Sequence, residues 1–266
     1  MHPLEQLCFL FTIYSFLGWL CESIFCSFLF KKWTNRGFLN GPFCPVYGVG
    51  GLLITSLLHP FTVFPPYVEI PLVFVAGTVL TTTLEFITGW LLETMFHTTW
   101  WDYSHNRFNY KGRICLLNSI LFGLLCLVTM LLLHPLLLHI LHMIPIFLRP
   151  WILLAIFLYF LTDTLLTLHS ILTLNGKLQQ LQQLLDECKA TGTPLKAAHA
   201  ALSGYLTDSP AIQNFRERFS RLEKISPSQR RLLRAFPTMR SLRNAEPLQW
   251  LQQEWQRRKP GKNTHK

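Results

Sequence analysis

Charge is scarce in this chain. Of its 266 residues only 14% are Asp, Glu, Lys or Arg, against ~25% in an ordinary soluble domain. Residues 1–174 hold just seven cations and seven anions, which excludes a soluble globular enzyme. Also missing is the ~10-residue alternation of an outer-membrane barrel. The seven cysteines (Cys8, Cys21, Cys26, Cys44, Cys115, Cys126 and Cys188) are odd in number and contain no C-x-x-C pair, which argues against a disulfide framework and a structural zinc site. None of the motifs G-x-S-x-G, H-E-x-x-H or G-x-x-x-x-G-K-S/T occurs, so any nucleotide hydrolysis must be supplied by another polypeptide. No basic segment precedes the first apolar run, so a cleavable leader is not expected.

What the chain does have is long apolar runs. Half of its residues are hydrophobic, and they concentrate in stretches 4–30, 46–64, 70–96, 114–134 and 151–174. A helix crossing the hydrocarbon core needs ~20 such residues. The expectation is an all-α polytopic membrane protein with five transmembrane helices (1–174), followed by a helical cytoplasmic tail (175–266). Cations set the orientation. Lys31, Lys32 and Arg36 follow the first run and Arg107, Lys111 and Arg113 precede the fourth, while the loop between the second and third has none. That pattern puts the N-terminus outside and the C-terminus in the cytoplasm of a cell inner membrane.

The entire net charge of +10 lies in 175–266, with 17 cations against seven anions. Without a nucleic-acid-binding motif, such a tail is read as a solvated segment near anionic lipid. Nucleic acid is not an expected partner. Leu174, Leu178, Leu181, Leu185 and Cys188 recur at three- and four-residue spacing. They predict an amphipathic helix continuing the fifth span, with a homodimer seam as one use of that stripe. Helices are also predicted around 197–206, 211–224 and 248–258.

The chain repeats itself at an offset of 71 residues. Across 14–58 against 85–129, ten of 45 positions are identical, among them Gly18/Gly89, Trp19/Trp90, Glu22/Glu93, Asn35/Asn106, Arg36/Arg107, Gly41/Gly112 and Cys44/Cys115. Leucine richness does not pair Gly-Trp, Glu and Asn-Arg at one offset. The reading is two helix–loop–helix units, about 8–64 and 79–135, plus a fifth span at 151–174. Units of two spans each begin on the same side of the membrane, so they are parallel repeats.

Intramembrane carboxylates are costly in hydrocarbon and face partners or wet cavities. Glu22, Glu85, Glu93 and Asp163 are therefore the candidates for a polar or transport path. For Glu22 and Glu93 the plainer alternative is an ion pair with Arg36, Arg107 or Arg113. The first loop, through Asn35, Arg36, Gly41, Pro42, Cys44, Pro45 and Tyr47, is too rich in Pro and Gly to be helical. It reads as a re-entrant segment or an interfacial turn. The second loop offers Trp101, Asp102, Tyr103, Asn106, Arg107, Gly112 and Arg113. An aromatic belt is its default account, and a polar cluster with the first loop the alternative, in which Asp102 pairs with an arginine. Spacing His139-x-x-His142 suits a metal, but no third ligand is at hand, so neither metal nor cofactor is expected.

The runs Tyr14-Ser15-Phe16-Leu17-Gly18-Trp19-x-x-Glu22, Asn35-Arg36-Gly37-Phe38-Leu39-x-Gly41-Pro42-x-Cys44-Pro45-x-Tyr47-Gly48, Glu85 with Gly89-Trp90, Trp100-Trp101-Asp102-Tyr103-Ser104, and Gly112-Arg113-Ile114-Cys115 resemble the CmpB-like type IV ABC-transporter permease family of bacteria. The resemblance covers about 8–135 and implies a membrane permease whose ATPase is a separate chain. The competing reading is a membrane-embedded lipid-modifying enzyme or a scaffold that binds lipid headgroups.

Overall fold

The computed structural model describes residues 2–29, 31, 33–190, 222 and 225–257. Helices dominate. In chain order they are α1 (Pro3–Leu29), α2 (Pro45–Leu57), a 3₁₀ turn (His59–Val63), α3 (Pro66–Phe96), α4 (Leu116–Val128), a π segment (Thr129–Leu133), α5 (His134–His142), α6 (Arg149–Ala190), α7 (Pro227–Ala235) and α8 (Ala245–Arg257). Four two-residue strands, β1 (Thr98–Thr99), β2 (Asn109–Tyr110), β3 (Ile114–Cys115) and β4 (Arg240–Ser241), pair antiparallel as β1–β4 and β2–β3.

Four helices are long and apolar enough to cross a membrane: 3–28, 66–96, 116–142 and 149–184. The run expected as the second crossing is broken. It forms the 13-residue α2 and then the 3₁₀ turn, because Pro60 and Pro65 cannot continue an α-helix. The fourth run continues past its expected end at 134 to His142, with a wider turn on the way. Pro135 has no N–H for the α ladder, and the turn before it opens so that His134 N–H reaches Thr129 O. The fifth run is the first part of a 42-residue helix, about 63 Å long. That is twice the hydrocarbon thickness, so α6 must leave the membrane.

In the packing, α1 lies chiefly against α2, and α3 against α4. Close approach depends on small residues. A Cβ on Gly18 would sit 2.2 Å from Tyr47, and one on Gly77 would sit 2.7 Å from Cys126. Two small cores join elements across these pairs, one setting Phe9, Leu10 and Tyr14 of α1 against Leu137 and Leu141 of α5, the other gathering Ile54 of α2, Val73 of α3, Cys126 of α4 and Met130. The largest core lies at the end where the two long loops gather. There Phe96 and Trp100 meet Leu174, Leu178 and Leu181 of α6 and Leu232, Leu233, Phe236 and Leu248 of α7–α8. The leucine stripe of α6 is thus filled by the chain's own C-terminal segment. Residues 225–257 form a cap over the loops, and this part of the basic tail is folded protein with its own apolar face. The helices predicted around 197–206 and 211–224 lie outside the described residues, apart from Leu222.

Candidate functional site

The first loop is irregular and yet almost fully bonded. Asn35 Oδ1 accepts Trp19 Nε1–H at 2.8 Å and the Gly37 N–H at 2.9 Å. Cys44 N–H donates to Ser15 O at 2.9 Å, and Pro45 opens α2 where its missing N–H costs nothing. The deepest anchor comes from α6. Asp163 accepts the consecutive backbone N–H groups of Asn40 (2.9 Å) and Gly41 (2.8 Å), one on each carboxylate oxygen. Asn40 Nδ2 donates to Thr167 one turn on, at 3.1 Å. Phe43 stacks on Tyr159 and Phe160 with centroids 5.5 and 4.8 Å apart. A Cβ on Gly41 would stand 1.7 Å from the Tyr159 hydroxyl, so any larger residue there forces Tyr159 to move. Backbone at membrane depth survives only where protein or water satisfies it. Both Asp163 oxygens are taken up in this way by backbone N–H groups of the first loop.

The second loop folds back along α3. His97, left-handed at φ 49°, ends that helix. Tyr103 O–H donates to Glu85 Oε1 at 3.1 Å, Arg113 pairs with Glu93 at 2.7 Å, and Trp101 Nε1–H donates to Arg113 O at 2.9 Å. The indole of Trp101 lies over Gly89. Burial, with the Glu85 charge second, pushes the Tyr103 phenol far above its ordinary range. Asn106 Nδ2–H contacts Cys115 Sγ at 3.4 Å. Lys111 and Gly112, both at positive φ, turn the chain into β3, and a Cβ on Gly112 would press on Asp102 and Ser104.

Between these loops the sequence-predicted residues come together in part. Arg36 Nε lies 3.5 Å from Glu22. Glu85 Oε2 is buried without a hydrogen-bond partner, which sets it apart from the bonded Asp163 and the ion-paired Glu22 and Glu93. The two ion pairs are not equivalent. By the repeat, Glu93 corresponds to Glu22 and Arg107 to Arg36, but Arg113 takes the place beside Glu93 while Arg107 stays exposed. Pro42 lies in the first loop at the position equivalent to Arg113. The loops touch through Phe38 and Trp100, centroids 5.1 Å apart.

A family model described as "Putative ABC-transporter type IV" matches residues 9–168. The chain belongs to this family. No curated protein and no solved structure matches it. The match runs past the resemblance seen in the motifs and takes in both loops and Asp163. It stops short of the cap, whose contacts therefore reach from outside the matched stretch onto residues within it.

Those contacts are many, and reading the sequence missed all of them. Arg36 Nη1 donates to Ala235 O at 2.6 Å, with its guanidinium 5.5 Å from the Phe236 ring. Arg231 donates to Gly37 O at 2.7 Å and Phe38 O at 3.1 Å, and Ser228 Oγ donates to Asn40 Oδ1. On the second loop, Leu242 N–H bonds His97 O at 2.9 Å beside the β1–β4 pair. Asp102 takes its cation from the cap, Arg240 at 3.2 Å, and not from a loop arginine. Hydrogen bonds from the Ser104 hydroxyl and N–H, then Arg240, hold the Asp102 carboxyl below its ordinary range. A signal existed in the Ser226-Pro227-Ser228-Gln229 run. Ser226 and Gln229 form a capping box that starts α7, but nothing local says what its apolar face covers.

Proposed function

We propose that this chain is the membrane-spanning permease subunit of an ABC-type transporter whose ATPase is a separate polypeptide. Family membership carries the proposal. It is supported by four crossing-length helices and by the lack of any phosphate-cradling motif in the sequence. In this reading the chain crosses a cell inner membrane five times, N-terminus outside and C-terminus in the cytoplasm, as two parallel repeats and a fifth span. Laid end to end, α2 and the 3₁₀ turn rise about 30 Å, the thickness of the hydrocarbon core. The loops and cap then form the cytoplasmic face on which an ATPase docks, and Glu85 is the polar group available between the repeats to a permeating solute. A second copy of the chain completes the unit.

Purification of the full-length chain from its native membrane tests this. An ATPase should co-purify, and its hydrolysis should rise when the two are reconstituted together. Isolation without any ATPase, with a purified chain that modifies lipid by itself, would replace this reading with that of a membrane-embedded enzyme.

A further inference from the structure

We propose that the β2–β3 hairpin is a lipid-headgroup anchor, which seats Arg107 and Lys111 on anionic phospholipid and Phe108 in the boundary layer beside them. The proposal needs α3 to cross a bilayer and does not depend on the permease reading.

The first argument is depth. α3 has 31 residues, about 46 Å, against ~30 Å of hydrocarbon. Counting 20 residues from Ile70, the first past the charged Glu69, brings the far boundary close to Gly89. The hairpin is pinned to α3 on both sides of that level. Tyr103 bonds Glu85, Tyr110 packs on Phe86 with centroids 5.8 Å apart, and Arg113 bonds Glu93. It therefore lies alongside the helix at the hydrocarbon–headgroup boundary instead of projecting into water.

The second argument is chemistry. Phe108 is 78% exposed and Tyr110 is 55% exposed, with Arg107, His105 and Lys111 exposed around them. Among the described residues no carboxylate pairs with Arg107 or Lys111, and Lys111 Nζ instead rides 5.6 Å over the Tyr110 ring. Of the acids nearby, Asp102 is paired with Arg240 and Glu93 with Arg113, while Glu85 holds the Tyr103 hydroxyl on one oxygen and has the other buried. Aromatic side chains beside unpaired cations are what the boundary favours, and each cation near an anionic surface gains roughly fivefold in binding.

The third argument is backbone strain. Phe108 is left-handed at φ 53°, costly for a bulky residue with no turn glycine. The hairpin enforces it, through Leu116 N–H to Phe108 O at 3.2 Å, and the result is an outward-facing ring.

The test uses the full-length chain in vesicles of phosphatidylcholine and phosphatidylglycerol, with the latter carrying a photoreactive headgroup. Adducts should map to the 102–113 peptide. At matched ionic strength they should persist in excess inorganic phosphate, and they should fall several-fold in high salt. The double variant Arg107→Gln, Lys111→Gln should lose roughly tenfold or more of that adduct, and Phe108→Ser should lose part of it. All three side chains are exposed, so the unfolding midpoint should not move. The salt response of the unaltered chain serves as a second readout should a variant misfold. Three results would each overturn the proposal: equal labelling by photoreactive phosphatidylcholine, adducts confined to the 230–243 peptide, or displacement by free phosphate.

Discussion

Asp163 shows how one side chain can hold a loop in shape. Its two oxygens satisfy two neighbouring N–H groups that have no helix to join, and a hydrogen bond to a charged group is worth about 1.5–3 kcal/mol. Asn in its place keeps one acceptor and turns an N–H₂ toward the other donor. Asp163→Asn should therefore lower unfolding stability in detergent by about 2–3 kcal/mol, and Asp163→Ala by more. Gly41→Ala should be at least as damaging, with partial relief in combination with Tyr159→Phe, because the hydroxyl is the nearest obstruction but not the last. A double-mutant cycle measures that coupling, and strict additivity would show that Gly41 is not held by Tyr159. The paired cysteines of the repeat behave alike for a plainer reason. Cys44 and Cys115 are 4% and 2% exposed, and burial pushes the Cys44 thiol up to about 12. A water-soluble maleimide at neutral pH should label neither in the folded chain and both in denaturant. Rapid labelling of Cys44 in the native state would contradict its burial.

Among the elements, the cap is the one whose role the sequence hides. Its partners are a stripe on α6 and a pair of aromatics at the end of α3, separated from it by some 50 to 140 residues. The stripe itself was legible, since Leu174, Leu178 and Leu181 recur with helical spacing. The occupant was not, because amphipathicity says that a face will be buried and never against what. The same limit applies to Glu93. Spacing alone allowed Arg107 or Arg113, and the choice falls to the turn at Lys111-Gly112, whose two positive-φ residues swing Arg113 back under α3. Asp102 was legible as a carboxylate in need of an arginine, but that arginine lies 138 positions away. Two expectations follow. Leu232→Ala removes a 1% exposed side chain from the cap core and should cost about 2–5 kcal/mol of local stability. Hydrogen exchange at Leu242 N–H, which reports the cap's strand pairing, should speed up accordingly while the α1 and α3 amides do not. The Asp102 contacts also give a sign with pH. A carboxyl held below its ordinary range adds stability above that range and loses it as pH falls through the lowered value. Protection of the cap amides, corrected for the intrinsic pH dependence of exchange, should therefore be level from neutral pH down to about 5 and fall only below about 4.

At the scale of the whole molecule, apolar runs foretold which segments form long apolar helices better than they foretold where those helices stop. The third run became α3 and kept its expected end at Phe96, whereas the fifth began close to its expected start and ran on to Ala190 in α6. The second was cut short by prolines and the fourth extended through a π segment, since hydropathy averages over residues that backbone geometry treats one by one. This leaves the second run as the test of the fold. If α2 and its turn cross together, 68 and 177 lie on opposite sides of the membrane, with five crossings and the cap in the cytoplasm. If α2 only dips in and returns, α1 and α3 enter from opposite sides, and α3, α4–α5 and α6 then complete four crossings. Position 68 would in that case share a side with 36, although Lys31, Lys32 and Arg36 precede α2 and no cation follows it before α3. That asymmetry favours a crossing. Reporters fused after Lys177 and near Val68 should read cytoplasmic and external respectively, and a third at Arg36 should agree with Lys177. A shared side for Arg36 and Val68 would reduce α2 to a re-entrant helix and with it remove the parallel relation of the two units.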